Sequence, residues 1–269
     1  MPENTIKTTD KDVNIKDYRI ESALPKTLKD SNIIGIKIQY KSITISSDNA
    51  DLKELNLHSL KLPIFMVIKY KNRKWSSYFE VAPKLNSDFN DITLRHFQIG
   101  GTVLFFYEKK PGFLWQFGVF YNQDTYGPFF MPLLGFDWKI SEKSDCSVLL
   151  PAYMIFEQKI SKKLYTGFEM EITGETYRLG GSSEYPNSFI SQLGANKLMF
   201  LAEPRLFLDF YLAKHLVFYI KPGFRLFQKY EHFTEDDHII TNSKYVQGKF
   251  KNSFYAEAGI ALRFRYDEK

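Results

Sequence analysis

Long segments of this chain alternate between apolar and polar side chains, and this alternation constrains the fold more than any other feature. The longest ladder places an apolar residue at every second position from Leu198 to Leu212. The opposite positions of the same segment carry Glu203, Arg205 and Asp209. Because successive side chains of a β-strand point to opposite faces, the ladder predicts a strand with one apolar and one charged face.

The same alternation recurs from residue 31 onwards, whereas helical periodicity is hard to find. Aromatic residues, including 25 Phe and 17 Tyr, also favour sheet, because flat side chains fit a pleated surface. The predicted strands are 33–46, 61–70, 74–83, 93–108, 113–123, 132–140, 146–150, 152–160, 164–179, 195–213, 216–230 and 252–266. Segments 146–150 and 152–160 depend on Pro151, since proline belongs at strand ends, bends and turns. Twelve strands are therefore expected, and merging these two segments, with one further change, would give ten.

Two properties of the ladders favour a transmembrane barrel over a soluble sheet. Segments 195–213 and 252–266 far exceed the usual strand of about 5–6 residues, and a membrane strand needs about 9–11. Their charges also occupy one face only, as lipid requires, because Lys or Arg at mid-depth costs about 2–4 kcal/mol. We predict an all-β, antiparallel, up-and-down barrel over residues 31–269, in contact with the lipid of a bacterial outer membrane. A soluble β-barrel that binds a ligand is the alternative.

The charged faces predict what fills the barrel. Acidic residues dominate segment 164–179 and basic residues dominate segment 216–230, so the two can pair across a narrow lumen. We expect a closed or tight lumen, and hence a non-enzymatic structural or surface-binding barrel or a narrow porin-like channel for small solutes. The expected lumen network comprises Glu169, Glu171, Glu203, Arg205, Asp209, Lys221, Arg225, Glu257, Arg263 and Arg265.

The two ends of the chain lead to separate expectations. Residues 1–30 are polar and lack the apolar stretch of a signal peptide, so we expect a flexible segment ahead of the barrel and a signal peptide already removed. The last strand ends in an alternating apolar run from Ala258 to Tyr266. That run resembles the terminal signal that outer-membrane barrels present to their assembly machinery, which is therefore an expected partner.

Other function classes find little support in the sequence. No 18-residue apolar window is present, so transmembrane helices are not expected. The single Cys146 rules out an internal disulfide and a cysteine zinc site. A net charge of +5 without a dense basic run does not favour nucleic acid as a partner. No phosphate-loop or dinucleotide motif occurs, and no cofactor or metal is expected.

Two weaker candidates for chemistry remain as alternatives. His232 and His238 lie among acidic residues of loop 231–251 and could bind a cation, although a solvated extracellular loop is the favoured interpretation. His96 follows Ser87, Asp88 and Asp91, the residue types of a lipid-modifying hydrolase. No G-x-S-x-G nucleophile elbow accompanies them, so a rim histidine among polar loop residues is favoured.

The middle of the chain resembles an uncharacterised family of outer-membrane β-barrel proteins from Gram-negative bacteria. The resemblance lies in GVFYNQDTYGP at 118–128 and PLLGFDWKI at 132–140, and its pattern extends over 31–266. It implies location and fold but no activity. The turn formers Asn122, Asp124, Gly127 and Pro128 predict a shaped loop at the barrel mouth. Tyr121 and Trp138 suit an aromatic girdle, and Asp137 is expected to point into the lumen.

Overall fold

A computed structural model of the chain describes residues 13–47, 55–71, 74–90, 92–124, 127–178, 196–233, 248–249 and 252–263. These residues form fifteen strands and one 3-10 turn, Leu94–His96. Within them, no helix is long and apolar enough to span a membrane. The strands are β1 (Val13–Thr27), β2 (Ile33–Ser47), β3 (Leu55–Lys61), β4 (Ile64–Lys69), β5 (Trp75–Ser87), β6 (Phe97–Lys110), β7 (Phe113–Asp124), β8 (Gly127–Lys139), β9 (Ser144–Leu150), β10 (Tyr153–Lys159), β11 (Leu164–Arg178), β12 (Asn196–Tyr211), β13 (Leu216–Phe233), β14 (Gly248–Lys249) and β15 (Ser253–Leu262).

The strands form one sheet that closes on itself. Strands that follow one another in the chain pair antiparallel, with two exceptions. Strands β3 and β4 do not pair with each other, and each pairs with β2 on one side and β5 on the other. Both β14 and β15 pair with β13. A single parallel pairing, Arg178 with Ser87, joins β11 to β5. Strands β5 to β11 therefore make a closed ring of seven, with the remaining strands continuing from it on either side. The predicted all-β barrel is confirmed, with this one parallel contact added to an otherwise antiparallel sheet.

Closure of the ring follows from the unequal lengths of β10 and β11. The first residue of β10, Tyr153, lies opposite Glu171, so residues 173–178 of β11 extend beyond β10. Buried backbone groups need hydrogen-bond partners, and β5 and β6 supply them here. The side chains of Asn86 and Gln98 donate to the Thr176 carbonyl oxygen at 3.0 and 3.3 Å.

The outward face of the sheet is apolar. Large side chains on it are exposed, with Leu134 at 62% and Ile260 at 69% of full exposure. Most of the described strands have no charged residue at an outward position. This holds for the whole of β4, β5, β7, β8, β9, β10 and β15. It also holds for β6 as far as Tyr107, β11 as far as Gly174, β12 from Ala202 onwards and β13 as far as Leu226. An uncharged apolar belt therefore runs around most of the described sheet.

The inward face divides into an apolar and a charged region. Leu104, Leu133 and Leu149 form a buried cluster inside the seven-strand ring, packed against aromatic residues that include Tyr78 and Tyr153. The inward positions of β11, β12 and β13 instead carry acidic and basic residues, several of them buried. The charged side chains predicted for the lumen thus lie to one side of the interior.

Each of the twelve predicted strands overlaps a strand of the structure, and β1, β3 and β14 are additional. The expectation that residues 1–30 are flexible and lie outside the barrel is wrong for Val13–Thr27, which pair with β2 along their whole length. Strand β1 carries the same alternation, with Tyr18, Ile20 and Leu24 exposed on its outward face. The many charged residues of segment 1–30 concealed this alternation in the sequence. Pro151 lies in a turn between β9 and β10, so these two strands stay separate.

The turns at one end of the sheet are all short. They comprise residues 28–32, 70–74, 111–112, 140–143, 160–163 and 212–215, and we call this edge the short-turn end. The longest connections, 179–195 and 234–247, join strand ends at the opposite edge, which we call the long-loop end. Barrels of the outer membrane share this asymmetry, with short periplasmic turns and longer outer loops.

Close strand approach requires glycine at position 135. A Cβ there would overlap the Val148 carbonyl oxygen of the neighbouring strand, which cannot move independently of its backbone. At Gly100 a Cβ would lie 3.2 Å from the movable side-chain oxygen of Asn122. We therefore expect Gly135→Ala to lower the unfolding free energy by about 1–3 kcal/mol through overpacking, and Gly100→Ala to lower it less. Urea unfolding of the two variants checks this order, and equal midpoints would contradict it.

Candidate functional site

Arg205 is the centre of a charged network on the inward face. Strand β12 places it beside Glu169 of β11, opposite in register, and its Nε donates to that carboxylate. Its Nη2 lies 3.1 Å from Glu171 Oε2, and its Nη1 lies 3.4 Å from Glu203 Oε2. The Nη1 also lies 3.8 Å from Glu257 Oε2 of β15. One buried guanidinium therefore meets four carboxylates from three strands.

Strand β13 contributes the other cations of this network. Lys221 Nζ donates to Glu169 Oε1 at 2.7 Å, and Arg225 Nε donates to Glu203 Oε1 at 2.9 Å. Glu203 is only 1% exposed, and it receives contacts from both Arg205 and Arg225. Burying an unpaired carboxylate would be costly, and the two guanidinium groups offset this cost for Glu203.

Two residues of β1, which sequence reasoning left outside the barrel, complete the network. Arg225 Nη2 and Arg19 Nη2 each lie 3.1 Å from Asp17 Oδ2. Arg19 Nη2 also lies 3.8 Å from Glu203 Oε2 of β12. These side-chain contacts connect β1 to β12 and β13. The alternation of Asp17, Arg19 and Glu21 with Tyr18 and Ile20 was the signal that could have predicted this.

Two further groups of ion pairs lie on the same face. Glu175 of β11 receives Lys61 Nζ at 2.5 Å, Lys41 Nζ at 3.4 Å and the Tyr177 hydroxyl at 2.5 Å. At the short-turn end, Arg263 of β15 pairs with Asp209 of β12. The lysines of β2 and β3 thus meet β11 across the interior. The sequence placed Glu175 on a polar face but did not predict these partners.

The ion pairs described above are balanced in charge, and Lys37 and Glu80 form a further inward pair at 3.0 Å. Without that further pair, the groups joined by these contacts are seven acids and seven bases: Asp17, Glu169, Glu171, Glu175, Glu203, Asp209 and Glu257 with Arg19, Lys41, Lys61, Arg205, Lys221, Arg225 and Arg263. A balanced network neutralises itself, so it presents no net field to attract one sign of ion. Its ion pairs join β1, β2, β3, β11, β12, β13 and β15 to one another.

Residues 25–263 match a family described as a domain of unknown function (DUF6268). The chain belongs to this family. The DUF6268 match spans almost all described strands, from the end of β1 to the end of β15, and so covers the charged network except Asp17 and Arg19. No curated protein and no solved structure shows significant similarity to the chain. The resemblance to an uncharacterised family is therefore confirmed, and the family carries no assigned activity.

Most residues predicted for the lumen of the DUF6268 barrel meet in the structure. Nine of the ten, all except Arg265, take part in the ion pairs above, and Arg265 lies outside the described residues. Their strands are neighbours, so the pairs form mainly between adjacent strands rather than across an open lumen. Contacts from β1, β2 and β3 are the ones that cross the interior.

The loop motif predicted from the family-like segment is a tight hairpin. Strands β7 and β8 pair from Phe113–Trp138 up to Asp124–Gly127, so Asn122 and Pro128 belong to strands and not to a loop. Asp137 points inward, where the Ser147 hydroxyl donates to it, as expected. Trp138 and Tyr121 point outward, and the Tyr121 ring lies 4.9 Å from that of Phe130.

The histidine considered for hydrolysis lies in a polar cluster at the long-loop end. His96 Nδ1 accepts the Thr93 backbone N–H at 2.9 Å, and its Nε2 is buried without a partner in the described part of the chain. Burial, reinforced by the Arg178 charge, lowers the pKa of His96 below 6.5. The Ser87 hydroxyl donates to Asp88 at 3.2 Å and not to His96. Asp91 lies outside the described residues.

The possible cation site in loop 231–251 falls largely outside the described residues. Only the strand residues 231–233 and 248–249 of this segment are described. Among the residues that the structure does describe, no group of three or more His, Cys, Asp or Glu side chains is placed to hold a metal ion.

Proposed function

We propose that this chain is a transmembrane β-barrel of a bacterial outer membrane, with a structural or surface-binding role and a closed interior. The observation that carries the proposal is the uncharged outward belt of the sheet. A soluble barrel would tolerate Lys or Glu at these positions, because they would face water. Exposed apolar patches on a soluble monomer rarely exceed a few hundred Å², whereas here the exposed apolar side chains surround the sheet.

The high cost of placing a charge in lipid supports lipid as the medium around this belt. A charged side chain facing lipid at mid-depth costs about 2–4 kcal/mol, so selection in a membrane removes such residues from the outward positions. Aromatic residues on the same face, including Trp115, Trp138 and Tyr121, are of the type that lies at membrane interfaces. The outward residues of β15, among them Phe254, Ile260 and Leu262, form the apolar strand that we expect the barrel-assembly machinery to bind.

The interior argues for a structural role over an open channel. Arg205, Glu203 and Arg225 are each at most 8% exposed, and their contacts connect β1, β11, β12 and β13. The apolar cluster of Leu104, Leu133 and Leu149 packs inside the seven-strand ring. Buried ion pairs and a buried apolar cluster in the interior both favour a closed barrel over an open channel.

Conductance in planar lipid bilayers tests this function. We expect the wild-type protein to insert into lipid vesicles and to show no steady single-channel current, because ion pairs and the apolar cluster close the interior. A double variant, Arg205→Gln with Arg225→Gln, leaves carboxylates without their cations and is expected to pass a small cation-selective current. The matched control is Lys109→Gln with Lys110→Gln at the exposed end of β6, which is expected to stay silent.

Two results would contradict the proposal in different ways. Steady current steps from the wild-type protein would exclude a closed interior and favour a channel for small solutes. Failure of the folded wild-type protein to associate with lipid vesicles would exclude the membrane location and favour a soluble barrel.

A further inference from the structure

A basic pocket lies at the short-turn end, between the β10–β11 and β12–β13 turns. It has a volume of about 530 Å³, within the range of about 300–1,000 Å³ typical of small-ligand sites. Four lysines line it, Lys159, Lys162, Lys163 and Lys214, together with the rings of Tyr165 and Tyr211. These residues belong neither to the ion-pair network nor to the apolar belt.

The backbone holds the walls of the basic pocket in place. The N–H of Tyr211 donates to the Lys163 carbonyl oxygen at 2.8 Å. This bond connects the β10–β11 turn to the end of β12, which leads into the β12–β13 turn. Each turn is also closed internally, by Ile160 N to Leu164 O and by Leu212 N to Leu216 O, both at 2.9 Å. The lysines therefore extend from fixed positions rather than from a loose loop.

Two buried tyrosines form the floor of the basic pocket. Tyr165 and Tyr211 are 3% and 7% exposed, and their ring centroids lie 5.3 Å apart. Both pack in one cluster with the fully buried Val217. Asp209 of the charged network is the register partner of Tyr165, and Arg263 pairs with it, so this acid already has a cation.

Three of the four lysines of the basic pocket have no acidic partner among the described residues. No Asp or Glu is among the residues that line it. Within the described part of the chain, Lys162, Lys163 and Lys214 form no ion pair with an acid. Like charges held close together repel, so three such lysines around one concave site favour an anion between them. This contrasts with the interior network, where every cation has a carboxylate partner.

We propose that the basic pocket binds a phosphate group. Lysine ammonium groups act as point charges and are common phosphate ligands, and several of them match the multiple charge of phosphate better than that of a single carboxylate. The group could belong to a soluble phosphate compound or to the headgroup of an anionic phospholipid, because the exposed Leu212 and Ile160 place the pocket at the edge of the apolar belt.

Two measurements on the full chain in non-ionic detergent distinguish these sources. Calorimetric titration with inorganic phosphate detects binding of the soluble group. Native mass spectrometry after exposure to phosphatidylglycerol or phosphatidylcholine detects binding of the anionic headgroup. The test variant is Lys162→Gln, Lys163→Gln and Lys214→Gln combined. The matched control removes three exposed lysines elsewhere at the short-turn end, by Lys109→Gln and Lys110→Gln at the end of β6 and Lys143→Gln in the β8–β9 turn.

We expect the test variant to lose about tenfold or more in affinity while the control binds like wild type. Binding of inorganic phosphate with this loss assigns a soluble ligand, and retention of phosphatidylglycerol alone with this loss assigns the lipid headgroup. Equal affinities of the two triple variants, or no binding by wild type in either measurement, would overturn the proposal. Since neither measurement uses a bilayer, the result is independent of the proposed membrane location.

Discussion

Replacing Arg205 with alanine is expected to lower the unfolding free energy by about 3–5 kcal/mol, the usual cost of breaking a buried ion pair on one side. The guanidinium contacts Glu169, Glu171 and Glu203, and Glu203 is almost fully buried. Truncation leaves these carboxylates close together with fewer cations between them. Urea unfolding in phospholipid vesicles, followed by tryptophan fluorescence, measures the change.

Two companion variants show whether the loss comes from the network. Arg95 is exposed in the 3-10 turn, so Arg95→Ala is expected to change stability by no more than about 0.5 kcal/mol. Arg205→Lys keeps the charge but lacks the planar fork that reaches several carboxylates, and should give an intermediate loss. A loss from Arg205→Ala no larger than that from Arg95→Ala would show that the interior is not braced by these ion pairs.

Replacing Leu134 with arginine is expected to destabilise the barrel by about 2–4 kcal/mol in a lipid bilayer. Leu134 is 62% exposed near the middle of β8, between Pro132 and Phe136 on the outward face. If lipid surrounds this belt, the guanidinium has no water or partner at that depth. Unfolding titrations in phospholipid vesicles give the free energy.

The control for depth is Glu142→Arg, at an exposed position in the short β8–β9 turn. This variant reaches water or headgroups, so its effect is expected to stay within about 0.5 kcal/mol. If the Leu134→Arg protein were as stable as the Glu142→Arg protein, the apolar belt would face water and the proposed membrane location would be excluded. The experiments at Arg205 and Leu134 are independent, because one alters the inward face and the other the outward face.

Period-two alternation was enough to predict most strands and the inward direction of the charged residues. Glu169, Arg205 and Asp209 all lie on the inward face, because residues two positions apart along a strand share a face. The alternation of β1 was equally present in the sequence, with Asp17 and Arg19 opposite Tyr18 and Ile20, but a polar composition concealed it. Composition is averaged over a segment, whereas a strand is defined by its two separate faces.

The partners within the charged network were not predictable in the same way. Glu175 contacts Lys41 and Lys61, which lie more than a hundred residues earlier in the chain. Such contacts depend on how far β11 extends beyond the short strand β10 and on its pairing with β5. Alternation says which face a residue occupies, but it contains no information about which distant strand lies opposite.

The sequence by itself therefore determined an all-β chain with an apolar and a charged face, because side-chain direction along a strand depends on local backbone geometry alone. The tertiary structure decided how that sheet closes, that β1 belongs to it, and which charges meet. It also created the basic pocket, whose lysines come from the end of β10, the β10–β11 turn and the β12–β13 turn. Those features depend on strand lengths and register relative to one another, and such relations exist only once the sheet has formed.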